Sequence, residues 1–185
     1  MNINRKFKLE GLIPEPHILY SVKYDGESIN EFRKLFKSWD DPYWLYKFFT
    51  ANQTDLNSGA WGGITVANAV RQTRLQAKEM KKTILAIANG QNNEFTILSD
   101  YFMPLSNGKI GKLEWDKGKG LLHHNWLRIY AIRCSKNTFV ITGGGIKLTR
   151  DMSPPHLQEE LLKLKQAEEY LRSGDDEQIE LCDID

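Results

Sequence analysis

The sequence predicts an α+β fold: a small antiparallel β-sheet packed against an N-terminal helical hairpin, with a further C-terminal helix. Leu127 to Cys134 and Thr138 to Thr142 are runs rich in Ile, Val, Tyr and Phe, separated only by Ser135, Lys136 and Asn137, the mark of a tight β-hairpin. Between Ser28 and Gly90 apolar residues recur at three- and four-residue spacing, the period of helices with one buried face. After Ser153-Pro154-Pro155 the same period returns in Leu157, Leu161, Leu164, Ala167 and Leu171. The hairpin strands are apolar at nearly every position except Arg128 and Arg133, so they belong at the centre of a sheet covered by helices.

The elements follow in chain order. Residues 1 to 16 are polar and proline-containing, and read as an arm. Ile18 to Tyr24 is a strand closed by the turn pair Asp25-Gly26. Ser28 and Glu31 stand in capping-box spacing before Ile29, Phe32, Leu35, Phe36 and Trp39, which share a helical face. Asp41-Pro42 starts a second helix, whose Tyr43, Trp44, Tyr46, Phe48 and Phe49 are expected in the core. Asn52 to Gly63 is a glycine-rich loop, and Thr65 caps a third helix ending near Asn89-Gly90. In that helix Val66, Val70, Thr73, Ala77, Met80, Ile84 and Ile87 form the seam of two packed helices, in a hairpin on the sheet or in a dimer. Its Arg71, Arg74, Lys78, Lys81 and Lys82 read as a solvated face. Glu94 to Leu105 and Ile110 to Trp115 are further strands, and Lys117 to His124 is a basic loop leading into the hairpin.

Composition narrows the function. At 185 residues the chain is long enough to bury a core without disulfides or metals. With no signal-like start and no long apolar run it reads as a cytoplasmic protein with no membrane partner, and Cys134, in a core strand, and Cys182 suit a reducing compartment. The net charge of +1 hides an asymmetry. Residues 105 to 150 carry nine Lys or Arg against Glu114 and Asp116, a net of +7, whereas residues 151 to 185 carry three against eleven acids, a net of −8. A basic sheet region with an acidic end is expected where one surface meets phosphates or an acidic partner.

Nucleotide and metal motifs do not fit. A P-loop around Gly118-Lys119 would need a glycine where Leu113 stands and a hydroxyl residue where Gly120 stands. Gly143, Gly144 and Gly145 lack the dinucleotide fingerprint and read as a bend in a strand. His123 and His124 are adjacent, so on a strand they face opposite ways, with no Cys or acid at ligand spacing. No metal or cofactor is expected. What remains is Lys117, Lys119, His123, His124, Arg128, Arg133, Lys147 and Arg150 gathered around a short sheet. Strands paired in sequence order bring several of these to one edge, as a phosphate-binding groove or as ordinary basic surface. RNA cleavage by the adjacent 2′-hydroxyl needs a base, an acid and cations on the phosphate, roles open to His, Lys and Arg.

The order strand, helices, antiparallel strands, C-terminal helix resembles the RelE/HigB/ParE superfamily of bacterial toxins. The segment also resembles a group of toxin-like bacterial proteins with an ITGG-(A/G)-IK strand. The residues that carry the likeness are Arg128-Ile129-Tyr130-Ala131-Ile132 and Phe139 to Thr149, within a span of residues 126 to 171. The resemblance implies one RelE-like toxin domain over residues 1 to 173, with a helical insertion at about residues 40 to 90 and an acidic tail over residues 174 to 185. It implies the toxin of a type II toxin–antitoxin system, a HigB-like endoribonuclease that binds and cuts mRNA, free or on the ribosome, without a metal. The implied partner is a small antitoxin, often with a helix-turn-helix domain. Arg128, Lys147 and Thr149 match the family's arginine, lysine and threonine, while Gly143 and Leu148 stand where many HigB-like sequences have histidine and a second lysine. The expected site is then Lys119, His123, His124, Arg128 and Lys147 as catalytic groups, with Lys117, Arg133, Thr149 and Arg150 binding RNA. Two alternatives are a non-catalytic protein that binds and inhibits a protein target, as the ParE branch does, and an inactive accessory protein.

Overall fold

In the computed structural model the described residues are 7–14, 18–92, 94–110, 113–119, 125–173 and 181–182, of which 106–110, 113–115 and 181–182 are described by their backbone alone. The chain begins with β1 (Phe7–Gly11) and β2 (Leu19–Tyr24), followed by α1 (Glu31–Asp40), α2 (Pro42–Ala51), the short α3 (Gln53–Leu56) and the long α4 (Val66–Ala88). A single turn, α5 (Leu98–Tyr101), leads into β3 (Phe102–Ile110), β4 (Leu113–Lys119), β5 (Leu127–Ser135) and β6 (Thr138–Ile146). Then come α6 (Pro155–Ser173) and the two-residue β7 (Leu181–Cys182).

The seven strands form one sheet in the order β3-β4-β5-β6-β2-β1-β7. Strands β3 to β6 are antiparallel neighbours, as the hairpin pattern predicts. The sheet as a whole is mixed, which corrects the expectation of an antiparallel one: β2 pairs with β6 in parallel, and β1 with β7. The reason is connectivity. All the helices from α1 to α5 and three strands lie between β2 and β6, a connection long enough to cross over and bring β2 in alongside in the same direction.

Alternation along the central strands sorts the core into two. Leu19, Ile129, Ala131, Phe139 and Ile141 face α1, α2 and α4, with Phe36, Trp39, Phe49, Met80 and Ile84. Tyr130, Ile132, Val140, Val22 and Tyr24 face α6, with Leu164 and Ala167. The central hairpin is therefore covered on both faces. Each fully buried Leu, Ile or Phe contributes about 1.5–3 kcal/mol.

Capping residues set the helix starts. Asn30, not Ser28, caps α1, its side chain accepting from Arg33 N–H at 2.9 Å, and Glu31 is buried rather than folded back as a capping box. Asp41 accepts from Tyr43 and Trp44 at the start of α2, and Thr65 from Asn68 at the start of α4. The α4 seam packs inside this chain, against α1 and α2. Several expectations change: the strand expected over residues 94–105 is helical at α5 and extended only from Phe102, and α3 stands within the loop expected over residues 52–63. Residues 7 to 11 pair with β2 instead of forming an arm, Cys134 is exposed at the end of β5, and Tyr43, Trp44 and Tyr46 lie on the surface while Leu45 and Phe49 of the same helix fill the core.

The glycine run works as packing space. Thr142 is an extra residue in β6, because Tyr130 pairs with Gly143 and Ala131 with Ile141. A Cβ on Gly143 would lie 1.9 Å from Glu160 Oε2, and one on Gly144 would lie 2.5 Å from the Arg128 carbonyl and 2.9 Å from Leu35. Only glycines let α6 and α1 approach β6 this closely.

Candidate nucleic-acid interface

Helix α6 covers β1, β2 and the central hairpin, and the β4 side of the same face carries the predicted cations. Lys119 pairs with Arg128 and Lys117 with Tyr130 across β4 and β5, so their side chains share a face. Lys147 follows directly on β6 and its backbone N–H donates to Trp126 O at 2.8 Å. Its ammonium donates to the carbonyls of Thr149 and Arg150 at 2.5 and 2.6 Å. Burial, then the positive charges of Arg128 and Lys117, hold the Lys147 pKa below the usual lysine value. The half-buried Arg128 spends one nitrogen on Asn125 O and Leu127 O, at 2.9 and 2.7 Å. Among the described residues no carboxylate forms an ion pair with Lys117, Lys119, Arg128 or Lys147. Asp151, beyond ion-pair distance, is the acid that acts on Lys147.

The structure does not bring every expected residue to this patch. Arg133 lies on the opposite face, where Nε and Nη2 reach Asp116 Oδ2 at 2.8 and 2.6 Å and Nη2 reaches Phe102 O at 3.1 Å. Its guanidinium also lies over the Phe139 ring, 5.3 Å from the centroid, so Arg133 holds β3, β4 and β5 together. The Thr149 hydroxyl donates to Asp151 O at 3.0 Å and shapes the loop after β6, where Arg150 is exposed. Lys117 and Lys119 stand on a strand, not in a loop. His123 and His124 lie outside the described residues, as does the acidic tail apart from Leu181 and Cys182.

One residue absent from the sequence-based set lies beside the strand partner of Arg128, its ring edge-to-face with Phe48 of α2. His156, in the first turn of α6, sits over Gly145, which pairs with Arg128. Its Nε2 is 2.9 Å from the Ile146 carbonyl. A carbonyl only accepts, so Nε2 is the donor, and in the neutral ring Nδ1 keeps the lone pair. A histidine in the first turn after Pro154-Pro155 was the available signal, but helical periodicity marks only the apolar neighbour Leu157.

A second polar cluster lies where α1 and α6 meet β6. Lys163 reaches Glu31 Oε2 and Glu160 Oε1, each at 2.8 Å, and the two carboxylates are almost fully buried. Burial outweighs the ammonium beside it and pushes the Glu160 carboxyl up to about 7. Lys163 shows the reverse balance: burial opposes its charge, but Glu160 and Glu31 outweigh that and keep it protonated. The cluster ties α6 to α1.

No family model, curated protein or solved structure matches the chain. Among the described residues no three His, Cys, Asp or Glu side chains gather as a metal site, and no helix is long and apolar enough to cross a membrane.

Proposed function

We propose that this chain is a toxin that binds mRNA on the α6 side of its sheet and cuts it with the RNA's own 2′-hydroxyl as nucleophile, its activity held in check by a small antitoxin. The observation that carries this reading is the gathering of Lys117, Lys119, Arg128 and Lys147 with no ion-paired carboxylate among the described residues. Such a set is stabilised by an incoming phosphodiester. The chain order of β2, helices, antiparallel β3 to β6 and α6 is also the order on which the resemblance to RelE/HigB toxins rests.

In this reaction the 2′-oxygen attacks phosphorus and the bond to the 5′-oxygen breaks, leaving a 2′,3′-cyclic phosphate and a 5′-hydroxyl. A base takes the 2′-proton and an acid returns one to the leaving oxygen. Arg128 and Lys147 neutralise the added charge on phosphorus. His156, with its Nδ1 lone pair, is the candidate base and Lys119 the candidate acid.

The test is tightly controlled induction in bacteria, with new RNA 5′ ends mapped for wild type, Arg128→Ala and Lys147→Ala. Growth arrest with new 5′-hydroxyl ends, both abolished by either substitution in folded protein, is the expected result. Arrest without cleavage moves the assignment to a protein target, and absence of arrest overturns the toxin reading.

A further inference from the structure

We propose a second nucleic-acid contact, remote from the sheet face: the groove between α1 and α4, which we infer takes a single-stranded phosphodiester backbone. The groove has a volume of about 920 Å³ and is lined by Arg33 and Lys37 of α1 and by Arg71, Arg74, Lys78 and Lys81 of α4. All six are exposed. Arg74 pairs with the exposed Asp40 at 3.1 Å, and Lys81 lies over the Phe36 ring, 5.9 Å from its centroid. Arg33, Lys37, Arg71 and Lys78 form no ion pair among the described residues.

Spacing and shape select the occupant. On α4 the four cations keep helical spacing and span about 15 Å at 1.5 Å per residue, with Arg33 and Lys37 one helical turn apart on the facing wall. Two converging rows of cations suit a string of phosphates rather than one phosphate. The groove is concave, and Leu75, 62% exposed, is the one exposed large apolar side chain in its lining. A helix that lies on a lipid surface needs a broad apolar face, which this lining lacks. Asp41 caps α2 at the groove's edge, and that helix carries the exposed rings of Tyr43 and Tyr46, the kind of surface on which unpaired bases stack. Helices α1, α2 and α4 pack on the face of the sheet opposite α6, so the groove and the sheet patch are separate surfaces. The inference therefore does not depend on the cleavage reading.

The experiment measures binding of the full chain to a fluorescent, mixed-sequence, 20-nucleotide single-stranded RNA over a range of salt concentrations. The proteins are wild type, the groove variant Arg71→Gln/Lys78→Gln and the sheet variant Lys117→Gln/Lys119→Gln. Each phosphate contact adds about 0.7 to the slope of log affinity against log salt on single strands, so the groove variant is expected to lose about 1.4 in slope. At low salt its affinity should fall at least tenfold, with an unchanged melting temperature. Unchanged affinity and slope in the groove variant overturn the proposal, and then loss in the sheet variant leaves the sheet reading intact. Loss in the groove variant alone supports the groove and counts against the sheet reading. Vesicles of anionic phospholipid and a poly-glutamate peptide complete the test. Binding of either one that depends on Arg71 and Lys78, with RNA binding unaffected, also overturns it.

Discussion

Arg128 and Arg133 stand on the same strand, and the sheet treats them oppositely. Arg133 meets the fully buried carboxylate of Asp116 and becomes part of the scaffold, whereas Arg128 finds backbone carbonyls, neighbouring cations and, among the described residues, no ion-paired acid. The two faces differ in the same way. On the α1 and α4 side Arg133 is neutralised by Asp116, and on the α6 side no carboxylate among the described residues forms an ion pair with Lys117, Lys119 or Arg128. Cation count alone does not separate these two arginines; what separates them is the carboxylate that one of them meets.

The largest expected effect comes from breaking the neutralised side. Arg133→Ala leaves Asp116 buried without its cation, and denaturant titration should show a loss of about 3–5 kcal/mol. A loss below about 1 kcal/mol would return Arg133 to the ligand-binding candidates. On the other face, Arg128→Ala should lower RNA cleavage by about 10²–10³-fold, as loss of a transition-state donor does. Equal damage to stability from both arginine substitutions would erase the distinction between the faces.

The glycines sharpen the comparison at the next level. Gly144→Ala puts a Cβ against the Arg128 carbonyl, which cannot give way, and should cost about 1–3 kcal/mol. Gly145→Ala meets Leu157 Cδ2 at 3.1 Å, a side chain that can shift, and thermal melts should show a smaller loss. The remaining effect is a pH dependence. The Glu160 carboxyl stands at about 7 when folded against an ordinary 4.5, so its contribution to stability is full below about 4.5 and is lost as pH rises towards 7. Glu160→Gln should flatten that fall, on the order of 3 kcal/mol at most, in melts between pH 4.5 and 7.5. An unaltered profile would assign the dependence elsewhere.

Local pattern made much of this architecture readable. Capping at Asp41 and Thr65, the turn at Asp25-Gly26, the α4 seam, the α6 stripe and the central hairpin are written in residues close to one another in the chain. The sequence reading gathered Arg128 and Arg133 in one groove, and the structure sets them on opposite faces of β5. The parallel pairing of β2 with β6, the strand β1 and the exposed aromatics of α2 were not legible, because each depends on what a distant segment covers.

For the site, the sequence by itself determined which residues carry charge and that the region from β4 to β6 is basic. Only the tertiary structure decided which of those charges meet a carboxylate. It brought Asp116 under Arg133 but, among the described residues, no acid to Arg128, placed His156 over Gly145, and set Arg33 and Lys37 across a groove from a row of cations that looks like an ordinary solvated face in the sequence. The physical reason is that backbone periodicity is a local property, whereas electrostatic neutralisation depends on register and helix packing between residues far apart in the chain.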